Sequence, residues 1–170
     1  MKDPMIVASA KDRGAMSEDS TQAWLVLGWI GLAFLVVGGV DFALTWFPLN
    51  LGNREWEFAT VTQSFNGLPI LVLGVGLLTV AADQTGRRWW GHLGLVASLL
   101  LLVWVMVGFV LWALSVSLAL ETVPESLALG IKKAVTRTLI QACAYAALLT
   151  YVLGRSWRIA KTGAVTPRNE

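Results

Sequence analysis

The sequence predicts an all-α fold, a polytopic membrane four-helix bundle with both termini in the cytoplasm (N-in/C-in). Its 170 residues are 56% apolar and only 14% charged. Four runs each match or exceed the roughly 20 apolar residues that cross the core of a bilayer. They are residues 24–47, 58–82, 93–120 and 134–154. We expect each run to be helical, because lipid offers the backbone no hydrogen bonds.

The basic residues predict the orientation. Nine of the thirteen precede the first run, lie between the second and third, or follow the fourth: Lys2, Lys11, Arg13, Arg87, Arg88, Arg155, Arg158, Lys161 and Arg168. Cytoplasmic loops carry the excess of Lys and Arg, so both termini are predicted to be cytoplasmic. Basic patches at this level indicate contact with the lipid bilayer, and we expect no nucleic-acid partner.

The chain is therefore divided into three parts. Residues 1–22 are predicted to be a disordered cytoplasmic tail, residues 23–160 the four-helix transmembrane domain, and residues 161–170 a second disordered tail. The spans are predicted at about 24–47, 58–82, 90–120 and 124–158.

The first span carries an intramembrane acid. Asp41 lies about 9 Å inside the outer end of the span, which Trp46 marks. Carboxylates at that depth are costly and usually face a partner or a cavity. In the second span, Asn53 is predicted to cap the helix, and Pro69 to loosen it. Gly86 is predicted to form the tight cytoplasmic turn that follows.

The third and fourth spans are longer than a bilayer requires. Residues 93–120 contain no charge, and the fourth helix is predicted from Thr122, a cap, and Pro124, which fits a first turn. We expect these two helices to form a hairpin that projects on the outer side and turns at residues 121–124.

Polar side chains from all four spans are predicted to share a similar depth in the outer half of the membrane, including Ser115 and Ser117 of the third span. Seven of them are the predicted site residues of this intramembrane layer: Asp41, Gln63, Asn66, Lys133, Arg137, Thr138 and Gln141. One interpretation is a buried network in which Asp41 pairs with Arg137 or Lys133 and fixes the helix order. A second is a conduction or proton-handling site. A third is a site for a ligand or a lipid headgroup.

The residue inventory argues against a metal site, a cofactor and catalysis. Cys143 is the sole cysteine and His92 the sole histidine, so a zinc site built from Cys and His or a bis-His haem site is excluded. His92 is predicted at the inner face and Asp41 in the outer half, which excludes a Ser–His–carboxylate triad at membrane depth. We expect no metal, no cofactor and no catalytic residue.

Three stretches resemble a known family. They are Phe47-Pro48, then Asn53-Arg54-Glu55-Trp56-Glu57-Phe58, then Leu68-Pro69-Ile70-Leu71-Val72-Leu73-Gly74. Together they resemble the first two spans of HpsJ-like cyanobacterial membrane proteins, and the segment from Lys132-Lys133 to Gly154-Arg155 is similar to the last span of that family. The family carries a long coiled-coil-like insert between the third and fourth spans, whereas the connection here is short. The resemblance implies a non-enzymatic accessory protein associated with hormogonium polysaccharide production.

The expected function is that of an accessory or scaffold subunit in a bacterial inner (plasma) membrane assembly, with protein partners in the membrane and a link to surface polysaccharide production or export. The alternative is a small channel or transporter subunit that uses the layer between Asp41 and Arg137. An integral-membrane enzyme is the third hypothesis.

Overall fold

The structure is a computed structural model that describes the backbone of residues 4–122 and 125–162 and the side chains of residues 20–116 and 129–161. These residues form four helices: α1 (Pro4–Trp46), α2 (Arg54–Thr85), α3 (Arg88–Thr122) and α4 (Glu125–Thr162). The described part of the chain contains no strand. The predicted all-α, four-helix bundle is confirmed.

The predicted N-terminal tail differs from the structure. Helix α1 begins at Pro4, so the segment predicted to be disordered over residues 1–22 is helical from that residue onward. Pro4 suits a first helical turn, and only Gly14 interrupts an otherwise helix-compatible stretch. At the other end α4 runs to Thr162, and residues 163–170 of the predicted second tail lie outside the described residues.

The ends of α2 follow the predicted local chemistry. The Asn53 side chain accepts hydrogen bonds from the backbone N–H groups of Glu55 and Trp56, which confirms the predicted cap. Gly86 ends the helix in the left-handed region with φ of 66°, and its N–H donates to the carbonyl of Ala82. This is the conformation that glycine adopts without strain. The predicted cap of α4 at Thr122 and Pro124 lies outside the described side chains.

Helix α2 is the central element. It packs against α1, α3 and α4, and α3 also packs along α4. Helices α1 and α4 lie against different parts of α2 and make no extensive contact with each other. Any side chain that reaches from α1 toward α4 therefore meets α2 first.

Close backbone approach joins α1 to α2. A methyl group added at Gly31 would lie 2.8 Å from the carbonyl oxygen of Gly74, and one added at Gly74 would lie 2.8 Å from that of Gly31. No side chain fits at either position without moving a helix. Small residues at helix crossings allow this kind of contact in membranes.

The apolar core has an outer and an inner part. The outer part is centred on residues of α2, α3 and α4, among them Phe65, Leu68, Trp112 and Leu149, all 4% exposed or less. The inner part is centred on Leu78, Ala82, Trp90 and Ile159. Trp46 of α1 joins the outer part, because its indole N–H donates to the Ser64 hydroxyl at 2.9 Å.

Three segments of the described chain are long and apolar enough to cross a membrane: Ser20–Trp46, Arg54–Thr85 and Arg88–Val116. These segments identify a membrane protein. Helix α4 carries Lys132, Lys133 and Arg137 in its first half, and the fourth crossing stays a prediction.

The end of α3 extends past the start of α2. The Arg54 guanidinium donates to the Leu114 carbonyl at 3.2 Å, and the Ser115 hydroxyl donates to the Glu57 carboxylate at 3.3 Å. These bonds place the first turn of α2 beside residues 114–115. Because α3 continues to Thr122, it runs about 10 Å beyond that level. Part of the predicted turn at residues 121–124 lies outside the described residues, and the projecting hairpin stays a prediction.

Candidate functional site

Five of the seven residues predicted to form an intramembrane layer face outward. Their side chains are exposed: Asp41, Gln63, Asn66, Lys133 and Arg137. Gln141 is half-buried, and Thr138 alone is buried, at 1% exposure. The interior of the bundle therefore does not contain the predicted polar layer.

The predicted pairing of Asp41 with Arg137 or Lys133 is wrong. Among the side chains that the structure describes, the one ion pair joins Arg155 to Asp83. The Asp41 carboxylate instead lies against α2, where its Oδ2 is 3.4 Å from the position of a methyl group at Gly67. The physical reason is helix order, since α2 separates α1 from α4.

The two charges also differ in depth. A methyl group at Gly94 of α3 would lie 3.1 Å from the Ser156 hydroxyl of α4, which fixes the relative position of these antiparallel helices. Arg137 precedes Ser156 in α4 by as many residues as Ala113 follows Gly94 in α3. Arg137 and Ala113 therefore lie at one level, near the level where α2 begins. Asp41 lies beside Gly67, roughly 10 to 15 Å deeper along the bundle. The sequence spacing did not reveal this difference in depth, because α4 extends past the level where α2 begins.

Asp41, Gln63 and Asn66 form an outward group that we call the polar patch. Gln63 and Asn66 are three residues apart and so share one face of α2, and the Asp41 carboxylate lies beside them over Gly67. The Thr45 hydroxyl donates to the backbone carbonyl of Asp41, not to its carboxylate. None of the three side chains has a hydrogen-bond partner within the described residues.

Helix α4 carries a second outward group, the basic face. Lys132, Lys133 and Arg137 are all exposed and have no ion-pair partner among the described side chains. They line an open depression of 590 Å³ together with Leu129, Thr136, Ile140 and Gln141. All seven residues lie on one helix, so the depression is a surface for contact rather than an enclosed ligand site.

The sequence reasoning missed a polar link at the inner end of the bundle. The Arg155 guanidinium donates to the Asp83 carboxylate at 2.6 Å, and the hydroxyl groups of Thr79 and Ser156 lie 2.9 Å apart. Both contacts join α2 to α4. The opposite charges at the predicted inner ends of these helices were the available signal, but they were used only to predict orientation.

The buried polar side chains of the described residues all end in hydroxyl groups: Thr60, Ser64, Thr79, Ser98, Ser115, Thr138 and Ser156. Hydroxyls hydrogen-bond within or between helices without placing charge in the interior. Within the same residues, no group of three or more His, Cys, Asp or Glu side chains is placed to hold a metal ion. The chemistry that this chain offers at membrane depth is therefore concentrated on its outer surface.

Comparisons of the chain with protein-family models, with curated proteins and with solved structures find no match. The resemblance to HpsJ-like proteins stays a prediction. The outward placement of the polar patch and of the basic face is the observation from which a function can be proposed.

Proposed function

We propose that the chain is a non-enzymatic accessory or scaffold subunit of a bacterial inner-membrane assembly. The observation that supports this proposal is the polar patch of Asp41, Gln63 and Asn66, which is exposed on membrane helices and unpartnered within the described residues. Lipid cannot hydrogen-bond these groups, and an uncompensated carboxylate at such depth is costly. Contact with another membrane helix removes that cost.

The proposed placement has four crossings with both termini in the cytoplasm. It is supported by the nine basic residues that, in the sequence, precede the first run, lie between the second and third, or follow the fourth. Helix α4 lies antiparallel to α3, and its apolar part, residues 138–154, is level with the apolar part of α3. The basic face then lies at the outer membrane interface, where long cationic side chains extend toward the headgroups.

The proposed process is the production or export of a surface polysaccharide. Its support is the resemblance carried by residues 47–58 and 68–74. The outer position of the basic face is compatible with this process, because Lys132, Lys133 and Arg137 present positive charge where an anionic polymer would pass.

The alternative of a channel or transporter subunit has less support. That hypothesis needs Asp41 and Arg137 to line one path, whereas they lie on different helices at different depths. The buried polar side chains that are described are hydroxyls only.

The proposal is tested by deleting the gene and measuring surface polysaccharide, together with flux and turnover assays on the purified chain in liposomes. We expect the deletion to lower surface polysaccharide, and expression of the wild-type chain or of Cys143→Ala to restore it. Cys143 is exposed and belongs to neither polar surface, so this variant is a matched control. Unchanged polysaccharide in the deletion strain, or ion flux through the purified chain alone, would overturn the proposal.

A further inference from the structure

One ridge of α2 has the residue spacing of a coiled-coil interface. Seven residues follow one another at alternating intervals of four and three and form what we call the α2 seam: Ala59, Gln63, Asn66, Ile70, Leu73, Leu77 and Val80. This is the a/d spacing with which two helices pack around each other. Six of the seven are exposed and Leu77 is half-buried. The seam thus runs along the outside of the central helix.

Most of the seam is exposed, although Ile70 and Leu77 also lie against Gly38 and Gly31 of α1. The seam is not uniformly apolar. Ile70, Leu73 and Val80 are 45%, 53% and 45% exposed, and they continue the ridge toward the cytoplasmic end. Gln63 and Asn66 occupy its outer half, and Asp41 of α1 lies beside them. Asparagine and glutamine at helix crossings in membranes hydrogen-bond across the interface.

The polar patch is self-complementary. Asp41 supplies acceptors only, while the amides of Gln63 and Asn66 supply both donors and acceptors. In a dimer whose two-fold axis runs along the membrane normal, each residue meets residues of the same depth on the partner. Asp41 and Asn66 share one depth, because the Asp41 carboxylate lies over Gly67. A second copy therefore presents the amide N–H donors of its Asn66 at the depth of the Asp41 carboxylate.

We propose that two copies of the chain dimerise through the α2 seam. The two Asn66 amides hydrogen-bond to each other across the axis, and the Asp41 carboxylate of each copy accepts from an amide N–H of the partner. This proposal rests on the proposed membrane placement and names one partner within the assembly. The basic face of α4 stays outside the dimer interface and remains available to other components.

A second copy fits this surface better than lipid does. Lipid chains would cover the apolar half of the seam but would leave three polar side chains unsatisfied. Ring contacts and the core occupy the opposite face of α2, so the seam is the outward face of this helix.

Cysteine cross-linking of the purified full chain in liposomes tests the geometry. In a Cys143→Ala background, Leu73→Cys is expected to give a disulfide-linked dimer under mild oxidation, because seam residues face each other. Val103→Cys is the matched control, since Val103 is 54% exposed at a similar depth on α3. Equal cross-linking of the two variants, or none at Leu73→Cys, would overturn the proposal.

Energy transfer between labelled copies in liposomes tests the chemistry. Asn66→Leu is expected to weaken dimerisation roughly three-fold to thirty-fold, the range that interhelical hydrogen bonds in membranes give. Asn66→Gln should retain most of the affinity. Thr150→Val, which removes an exposed hydroxyl from α4, should change nothing. Circular dichroism and a thermal scan check that each variant folds, and an unchanged dimer in folded Asn66→Leu contradicts the proposal.

The two proposals fail separately. If purified copies stay monomeric while deletion still lowers surface polysaccharide, the dimer is wrong and the accessory function stands. If the seam cross-links as expected but the deletion leaves polysaccharide unchanged, the dimer stands and the accessory function is wrong. Cross-linking of Leu73→Cys to a different protein in native membranes, with no dimer of the purified chain, would assign the seam to that protein instead.

Discussion

The carboxylate of Asp41 lies against Gly67 of α2 and faces outward, with no ion-pair partner among the described side chains. Arg137 is exposed on α4, nearer the end of the bundle where α2 begins. The two residues share no partner and lie on helices that make no extensive contact. At the scale of single residues, each charge therefore acts on its own surroundings and not on the other.

This separation predicts additive effects. Asp41→Asn and Arg137→Gln are each expected to change the free energy of unfolding of the monomer by about 0.5 kcal/mol or less, as for outward substitutions that touch no special feature. The double variant should equal the sum of the two within about 0.5 kcal/mol. Denaturant unfolding in detergent measures this cycle, and a coupling free energy well above 1 kcal/mol would restore the ion pair that the structure lacks.

The pair formed by Asp83 and Arg155 is expected to show modest coupling. Their side chains are 31% and 48% exposed, so water and headgroups screen the charges. Asp83→Asn and Arg155→Gln should each lower the free energy of unfolding only slightly, with a small coupling between them, and denaturant unfolding in detergent measures both. Arg87→Gln, in the turn between α2 and α3, is the control for loss of a positive charge. A coupling as large as that of a buried ion pair would mean that the pair is far better shielded than its exposure indicates.

At the scale of helices, α1 and α2 cross at glycine residues, where the two backbones come close to each other. Gly31 and Gly74 bring each backbone to within 2.8 Å of where a methyl group on the other helix would lie. Other glycines of the same helices, such as Gly39 and Gly76, would meet nothing within 4 Å. Composition alone does not distinguish the two kinds of glycine, but packing does.

The glycine contacts give a matched pair of variants. Gly31→Ala is expected to destabilise the bundle by about 1 to 3 kcal/mol, because overpacking forces the helices apart. Gly39→Ala should be neutral or stabilising by up to about 1 kcal/mol, because alanine favours the helix and no atom opposes it. Thermal unfolding in one detergent compares them, and equal behaviour of the two variants would contradict the close crossing.

Local features of the sequence predicted the helices and their ends well. The sequence did not predict which residues from distant parts of the chain would meet at the site. Asn53 and Gly86 act on their own chain neighbours, so capping chemistry was enough to place both ends of α2. The proposed partner of Asp41 depended instead on which helices are adjacent, and hydrophobic runs carry no such information. The deeper position of Asp41 followed from the overlap of α3 and α4 with α2. The contacts of Arg54 with Leu114, of Ser115 with Glu57 and of Gly94 with Ser156 reveal this overlap.

The whole molecule combines an apolar, hydroxyl-linked interior with two polar outer surfaces. The polar patch lies on α1 and α2, and the basic face lies on α4. The α2 seam passes through the polar patch, whereas the basic face is on a helix that packs elsewhere on α2. Under the two proposals, the chain contacts a second copy through the α2 seam and another component of an assembly through the basic face.

The central claim, that the polar residues at membrane depth act in assembly and not in closing the bundle, is tested by the double variant Gln63→Leu/Asn66→Leu. Two quantities are measured on the same preparation: the free energy of unfolding of the purified monomer, and the mass of the complex that contains the chain in native membranes. Both side chains are exposed, so we predict an unchanged free energy of unfolding within about 0.5 kcal/mol and a smaller complex. A destabilised monomer in a complex of unchanged mass would contradict the account.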